Sequence, residues 1–280
     1  MKSIRGRTVY TGRRVIEDAY VQFSGNTVSG VSRTCRGDLV GEFDVITPAF
    51  VDAHSHIGMA RAGEPSGESE SNDHFDSISA HFDALDSLQT DDTALADAVE
   101  MAVLYSCILP GSGNIIGGLS ATIRNYAKNS SDALVRRSGV KGAFGYNPMS
   151  AKAWKGQRPS TRMGSMGILR SKLTQVGQKV EEYKRARGKE RSKINFSPEE
   201  AVLRDLLTRK QRLRAHVHKI DDIASLLRLV DEFRLLLTVE HAMDVHEPEI
   251  YGELKKRRIP VIYGPVDAFA YKVELKHATW

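Results

Sequence analysis

Cysteine is scarce in this chain of 280 residues: there are two, Cys35 and Cys107. Thiols so far apart form no metal-binding pair and suggest no disulfide framework. Aromatic residues make up 7% of the chain, so aliphatic side chains must dominate any core. No apolar run reaches the length of about 20 residues needed to cross a bilayer. The opening "MKSIRGRTVY" carries charge but lacks the apolar segment of a signal peptide. These absences predict a cytoplasmic protein with no membrane partner.

The composition itself is ordinary for a folded domain, 41% hydrophobic and 27% charged. The net charge is +5. Part of the excess lies in "YKRARGKERSK", Tyr183 to Lys193. Such a run could meet nucleic acid. It has no interleaved aromatics and no recognisable reading motif, so a solvated helix end is the reading adopted here, with no nucleic-acid partner.

Residues 1–45 read as short strands rich in Val, Tyr, Phe and Thr, with Gly25-Asn26 marking a turn. "VITPAFVDAH" then reads as one mostly apolar strand, and "RAGEPSGESESNDH" as a loop. "TDDTALADAVEMAVLYS" has helical periodicity, with Thr90 or Asp91 as its cap. "CILPGSGNIIGGLS" reads as a strand end entering a Gly-rich loop, and "GVKGAFGYNP" as a short strand. Two amphipathic helices follow, "MGILRSKLTQVGQKVEEYKRARGK" and "SPEEAVLRDLLTRK". The second opens on a good N-terminus, Ser197-Pro198-Glu199-Glu200. The last third alternates strand and helix, which argues for a parallel sheet.

Histidines end three of these strands: His54 and His56, His216 and His218, and His241. Alternating side chains put residues i and i+2 on one face of a strand. Neutral imidazoles are good ligands for zinc. One His-x-His pair is weak evidence, because a histidine ending a strand is usually a polar cap. Five histidines on three strands of one βα series are harder to explain that way. His74, His81, His246 and His277 fall in helix, loop or tail segments and read as surface or local contacts.

"TPAFVDAHSHIG" resembles the first barrel strand of the amidohydrolase superfamily. The resemblance continues in "LPGSGNIIGG", "VKGAFGYNP", "RPSTRMG", "RAHVHKIDDI", "VEHA" and "VIYGP", and as a set these resemble the imidazolonepropionase-like amidohydrolases. The resemblance implies an α/β fold: a (β/α)8 TIM barrel of metal-dependent hydrolase type over residues 46–280, and a small β-sandwich-like subdomain over 1–45. It implies hydrolysis of carbon–nitrogen bonds other than ordinary peptide bonds, in cyclic amides, dipeptides or related small molecules. It implies a divalent metal, zinc with iron or manganese as alternatives. By position it makes His54, His56, His216 and His241 metal ligands and sets His218 beside metal or substrate. Lys141 falls where two-metal relatives bridge with a carbamylated lysine, although a strand lysine is more often simply exposed. Arg158 and Arg162 could clamp a substrate carboxylate, or serve equally well in loop packing and salt bridges. "PGSGNIIGG" could direct backbone N–H groups at the site, or be only a turn.

Two departures stand out. Relatives read Gly-Glu-Asn-Pro where this chain has Gly145-Tyr146-Asn147-Pro148, and a phenol is a poor bridging ligand at neutral pH. The family's eighth strand supplies an Asp that moves protons, but about seven candidate strands precede Trp280, out of the eight of such a barrel. Asp267 is an unconvincing substitute, so no catalytic residue is assigned and the barrel is expected to lack its final strand. The competing reading is an incomplete, inactive relative that serves as a binding or assembly module. A small-molecule substrate is the expected partner, and a homo-oligomer is open.

Overall fold

The computed structural model describes residues 1–61, 63–149, 158–245 and 247–265. Asp267, His246 and His277 lie outside the described residues. The chain divides into two compact units, Met1–Phe50 and Val51–Trp280.

The first unit contains strands β1 (Lys2–Tyr10), β2 (Val15–Ser24), β3 (Thr27–Ser32) and β4 (Asp38–Ile46). They form one four-stranded sheet in the order β3-β2-β1-β4. β1 and β2 pair antiparallel, as do β2 and β3, while β4 lies parallel to β1. Gly25 and Asn26 make the two-residue turn that sets Ser24 opposite Thr27. Of the sandwich expected over residues 1–45, the structure forms this one sheet. "VITPAFVDAH" is not one strand: Val45 and Ile46 pair with β1, and the chain breaks at 47–49 before the next strand opens. Pro48 has no N–H to give to a ladder, which favours the break there.

The second unit opens with β5 (Phe50–Ser55), α1 (Thr93–Glu100), β6 (Val103–Ile108), β7 (Ile116–Arg124), α2 (Ser130–Ala133) and β8 (Leu134–Ala143). Helices α3 (Arg162–Arg185), α4 (Gly188–Ser192) and α5 (Pro198–Leu207) follow. The end alternates: β9 (Arg212–Lys219), α6 (Ile220–Phe233), β10 (Leu236–Asp244), α7 (Glu249–Lys256) and β11 (Val261–Tyr263). Seven strands, β5 to β11 in chain order, curl into a nearly closed barrel. β5 is tied across the barrel to β9, where Arg214 donates to the Ala53 carbonyl at 2.6 Å.

The sheet is mixed where the sequence predicts only parallel pairing. β8 to β11 are parallel, but β7 runs antiparallel to both β6 and β8. The link from Ile108 to Ile116 is too short for a crossover helix, so the chain must turn straight back. Gly117 and Gly118 therefore lie inside β7, not in a loop. The first helix is also shorter than its periodicity suggests. It ends at Glu100 and yields to β6, and its cap is Asp92, whose side chain accepts from the Ala94 N–H.

The later helices follow the sequence closely. Leu169, Leu173, Val176 and Val180 make one buried stripe along α3. The stripe packs with Leu203 and Leu206 of α5 and Leu226 and Val230 of α6. Ser197 and Glu200 form a reciprocal capping box, with Pro198 beside it at the start of α5. The basic run 183–193 is largely exposed, with Arg191 over the Tyr183 ring and Lys193 paired to Glu190.

Candidate functional site

β5 with the residue just past its end, β9 and β10 bring five imidazoles together. The His54 ring centre lies 5.5 Å from that of His56 and 4.6 Å from that of His241. The His241 ring is 4.5 Å from His216 and stacks on His218 at 5.3 Å. His216 and His218 are 4.6 Å apart, as two same-face residues of β9 should be.

The ring nitrogens are sorted by their partners. His54 Nδ1 lies 2.8 Å from Glu240 Oε2, an acceptor. His56 Nδ1 lies 2.7 Å from the Leu109 carbonyl, and His241 Nδ1 lies 2.6 Å from the Gly264 carbonyl. Each acceptor demands an Nδ1–H, so in each neutral ring the lone pair is on Nε2. The rings are neutral. Burial, reinforced by the Lys141 cation, pushes His54 down to about 2 and His56 to about 4. Burial and the neighbouring His54 push His241 to about 3. The His54–Glu240 contact is therefore a hydrogen bond from a neutral imidazole, not an ion pair.

Beneath the rings lies a buried charged layer. Arg214 is 6% exposed and Glu240 is 0% exposed. Arg214 Nε donates to Glu240 Oε1 at 2.7 Å and its Nη2 donates to Oε2 at 3.0 Å. Its third nitrogen donates to Cys107 Sγ. Lys141 is also fully buried, with Nζ 3.4 Å from His54 Nε2. The reading of Lys141 as an exposed strand lysine fails. Loss of hydration drives its ammonium down to about 7, with Glu240 pulling the other way.

Arg214 and Glu240 lie within the blocks "RAHVHKIDDI" and "VEHA", but sequence reasoning assigns neither them nor Cys107 a role at the site. Glu240 precedes His241, and in a regular strand the two would face apart. Here His241 has φ 77° and Ala242 φ 50°, both left-handed. The pairing of β10 with β9 slips between His241 and Asp244. This irregular backbone lets neighbours 240 and 241 meet the same His54 ring. Such conformations cost about 1–3 kcal/mol each and cluster at functional sites.

The arginines are placed differently from the histidines. Arg162 turns its fork to Asp222 of α6, with Nε to Oδ1 at 2.6 Å and Nη2 to Oδ2 at 3.2 Å. Its fork already holds a protein carboxylate. Arg158 donates to the Gly113 carbonyl, and burial lowers its guanidinium to about 10. Gly111 N–H donates to the Ser71 carbonyl and Gly113 N–H to Asn72 Oδ1. Those backbone groups tie the 109–115 loop to the 61–74 segment instead of facing a site. Tyr146 is 69% exposed, in keeping with its poor chemistry as a ligand. His74 and His81 are exposed.

Among the described residues, no group of three or more His, Cys, Asp or Glu side chains is arranged as a ready metal cage. The donor chemistry nevertheless fits a divalent cation. Three neutral imidazoles present Nε2 lone pairs, and each has its Nδ1–H held by an oxygen acceptor, the support that metal-bound histidines ordinarily show.

No family model matches the chain. It is similar to the curated amidohydrolase tasK of Hapsidospora irregularis, 25% identical over 252 residues. That match covers 82% of this chain and 26% of the relative, so the chain spans about a quarter of the relative's length. The crystal structure of an amidohydrolase from Thermotoga maritima MSB8 superposes with a TM-score of 0.88 at 31% identity. It covers all of this chain and 74% of that one.

Proposed function

This chain belongs to the amidohydrolase superfamily, and from that membership we propose that it is a metal-dependent hydrolase of carbon–nitrogen bonds, of the imidazolonepropionase-like kind. Its substrate would be a small molecule such as a cyclic amide, not an ordinary peptide. The observation that carries the reading is the sorting of ring nitrogens: His54, His56 and His241 each turn Nδ1 to an oxygen acceptor and so carry the lone pair on Nε2, which in His54 lies 3.4 Å from Lys141 Nζ.

These three, with His216, would hold a zinc, iron or manganese ion, and Lys141 is the candidate for a second, bridging position. When bound, such an ion supplies Lewis acidity, which lowers the pKa of water and polarises a carbonyl. The chain's own residues do the rest. Glu240 holds His54 in one tautomer and one orientation. Arg214 donates to both oxygens of Glu240 and so keeps that acceptor in place. Burial keeps His54, His56 and His241 uncharged, which removes proton competition for their Nε2 atoms at neutral pH. His218, stacked on His241, would contact the substrate. Arg158 is better suited than Arg162 to meet a substrate carboxylate, because Arg162 is matched by Asp222.

Elemental analysis of the purified protein tests this. We expect about one equivalent of zinc, iron or manganese per chain, and a lower Tm after chelation because the metal binds only the folded state. Absence of metal together with an unchanged Tm in chelator would sink the reading.

A further inference from the structure

The opposite end of the barrel carries an unusual construction repeated three times. α5, α6 and α7 each run into the next strand through the same turn. Lys210 N–H bonds to the Asp205 carbonyl, Leu235 N–H to Val230 and Ile259 N–H to Leu254. In each case one residue of the turn is left-handed, and each time it is an arginine: Arg209 (φ 61°), Arg234 (φ 54°) and Arg258 (φ 55°). This turn ordinarily takes glycine, because any Cβ is crowded there. Attraction of a cation to a helix C-terminus does not require the strained position. α5 and α7 already carry Arg204, and Lys255 and Lys256, in their last turns.

The three arginines line one cavity of about 510 Å³ at the amino ends of β9, β10 and β11. Arg212 and Arg257 complete its basic wall, and Asp231 is the single carboxylate among the described residues of the lining. Asp231 is already bonded to Arg257. Among the described residues, no carboxylate pairs with Arg209, Arg234 or Arg258. The floor is apolar, made by Leu235, Leu237 and Ile259. A second cavity of about 500 Å³ adjoins it through Arg212 and adds Arg136, Arg137 and Lys210. The histidines stand at the other end of the strands: His216 and His218 are four and six residues along β9 from Arg212, or roughly 13 to 20 Å at the usual strand rise.

We propose that this end of the barrel binds a small organic anion with a condensed phosphate chain, of nucleotide size. Three arginines without carboxylate partners call for more than two negative charges, and arginine forks match phosphate oxygens bidentately. The volume fits a small ligand, and the apolar floor suits an uncharged body behind the phosphates. The lining holds no aromatic side chain on which the bases of a single strand could stack.

Isothermal titration of the full chain at moderate salt tests this with three probes: ATP, inorganic pyrophosphate and a random single-stranded DNA. ATP is expected to bind with a submillimolar Kd. The triple variant R209G/R234G/R258G should weaken that binding at least roughly tenfold, with Tm unchanged or higher because glycine accepts positive φ freely. ATP binding more tightly than pyrophosphate would place a nucleoside on the floor; equal binding would mean that the phosphate chain alone is held. The single variants R209N, R234N and R258N give the same readout should the triple variant fold poorly, since asparagine also tolerates the left-handed region. The proposal is overturned if neither phosphate binds at millimolar concentration, if the variants bind as tightly as the parent, or if DNA binds more tightly than ATP.

Discussion

At the scale of single residues, the least visible groups carry the most. Glu240 links a buried guanidinium to a site histidine through its two oxygens. Glu240→Gln keeps the shape and removes the charge, leaving Arg214 buried and uncompensated. Breaking a buried pair this way costs about 3–5 kcal/mol, so urea unfolding should show a loss of that order. Metal affinity should also fall about 10–100-fold, the usual effect of losing a ligand's support. A variant with the parent's unfolding midpoint would show that the pair does not hold the site. Arg162 offers a sharper contrast. As a strap to Asp222 it should reveal itself in stability, because Arg162→Ala strands a carboxylate that is 6% exposed. We expect Tm to fall, with an unfolding loss of about 1–3 kcal/mol, and KM to stay unchanged. A raised KM at constant Tm would make it a substrate residue instead. Gly145, at φ 84°, sits where a Cβ would come within 2.6 Å of Asp222 Oδ2, so it is part of the same joint.

At the scale of elements, α3 and α5 show how unequal the local signals are. Leu173 is 1% exposed in the stripe that α3 turns toward the core. Leu173→Ala should cost about 2–5 kcal/mol, because the cavity left behind adds to the lost burial. Ser197→Ala removes one capping bond of α5 and should cost about 1 kcal/mol. Denaturant titrations of the two variants should therefore differ severalfold; equal losses would mean that α3 is less tightly packed than its burial indicates. The barrel strands follow a different logic. β7 runs antiparallel because its incoming link is short, and no pattern within β7 itself announces this.

At the scale of the whole molecule, the chain is two compact units joined near Phe50. Residues 47–49 are exposed and lie outside any strand, the kind of segment that proteases enter first. Limited digestion with proteinase K should cut there before it cuts within either sheet. The larger fragment, carrying all five site histidines, should stay folded on gel filtration and retain whatever metal the intact chain is found to bind. First cleavage inside the barrel unit would contradict this division. The charge of the molecule is also unevenly used. The run at 183–193, the most basic stretch by eye, is a solvated helix end. The arginines at the amino end of the barrel are scattered in sequence and meet only in space.

Much was legible before folding. The His-x-His pairs share a face because strands alternate, and this holds wherever such a strand is placed. The α3 stripe, the α5 capping box and the strand–helix alternation of the last third are likewise local, set by interactions within a few residues. The resemblance singled out His54, His56, His216 and His241 as one group by position. What local pattern could not supply was everything that depends on long-range contact. Lys141 reads as surface until the barrel strands close around it. Glu240 and His241 read as facing apart until two left-handed residues turn the backbone. Arg162 reads equally as a substrate clamp or a salt-bridge residue until α6 brings Asp222 to it. The turn arginines read as ordinary surface charge until three helices end side by side. In most of these cases the deciding partner is distant in sequence. Burial, charge pairing and backbone strain are properties of that encounter, so only the tertiary structure could decide them.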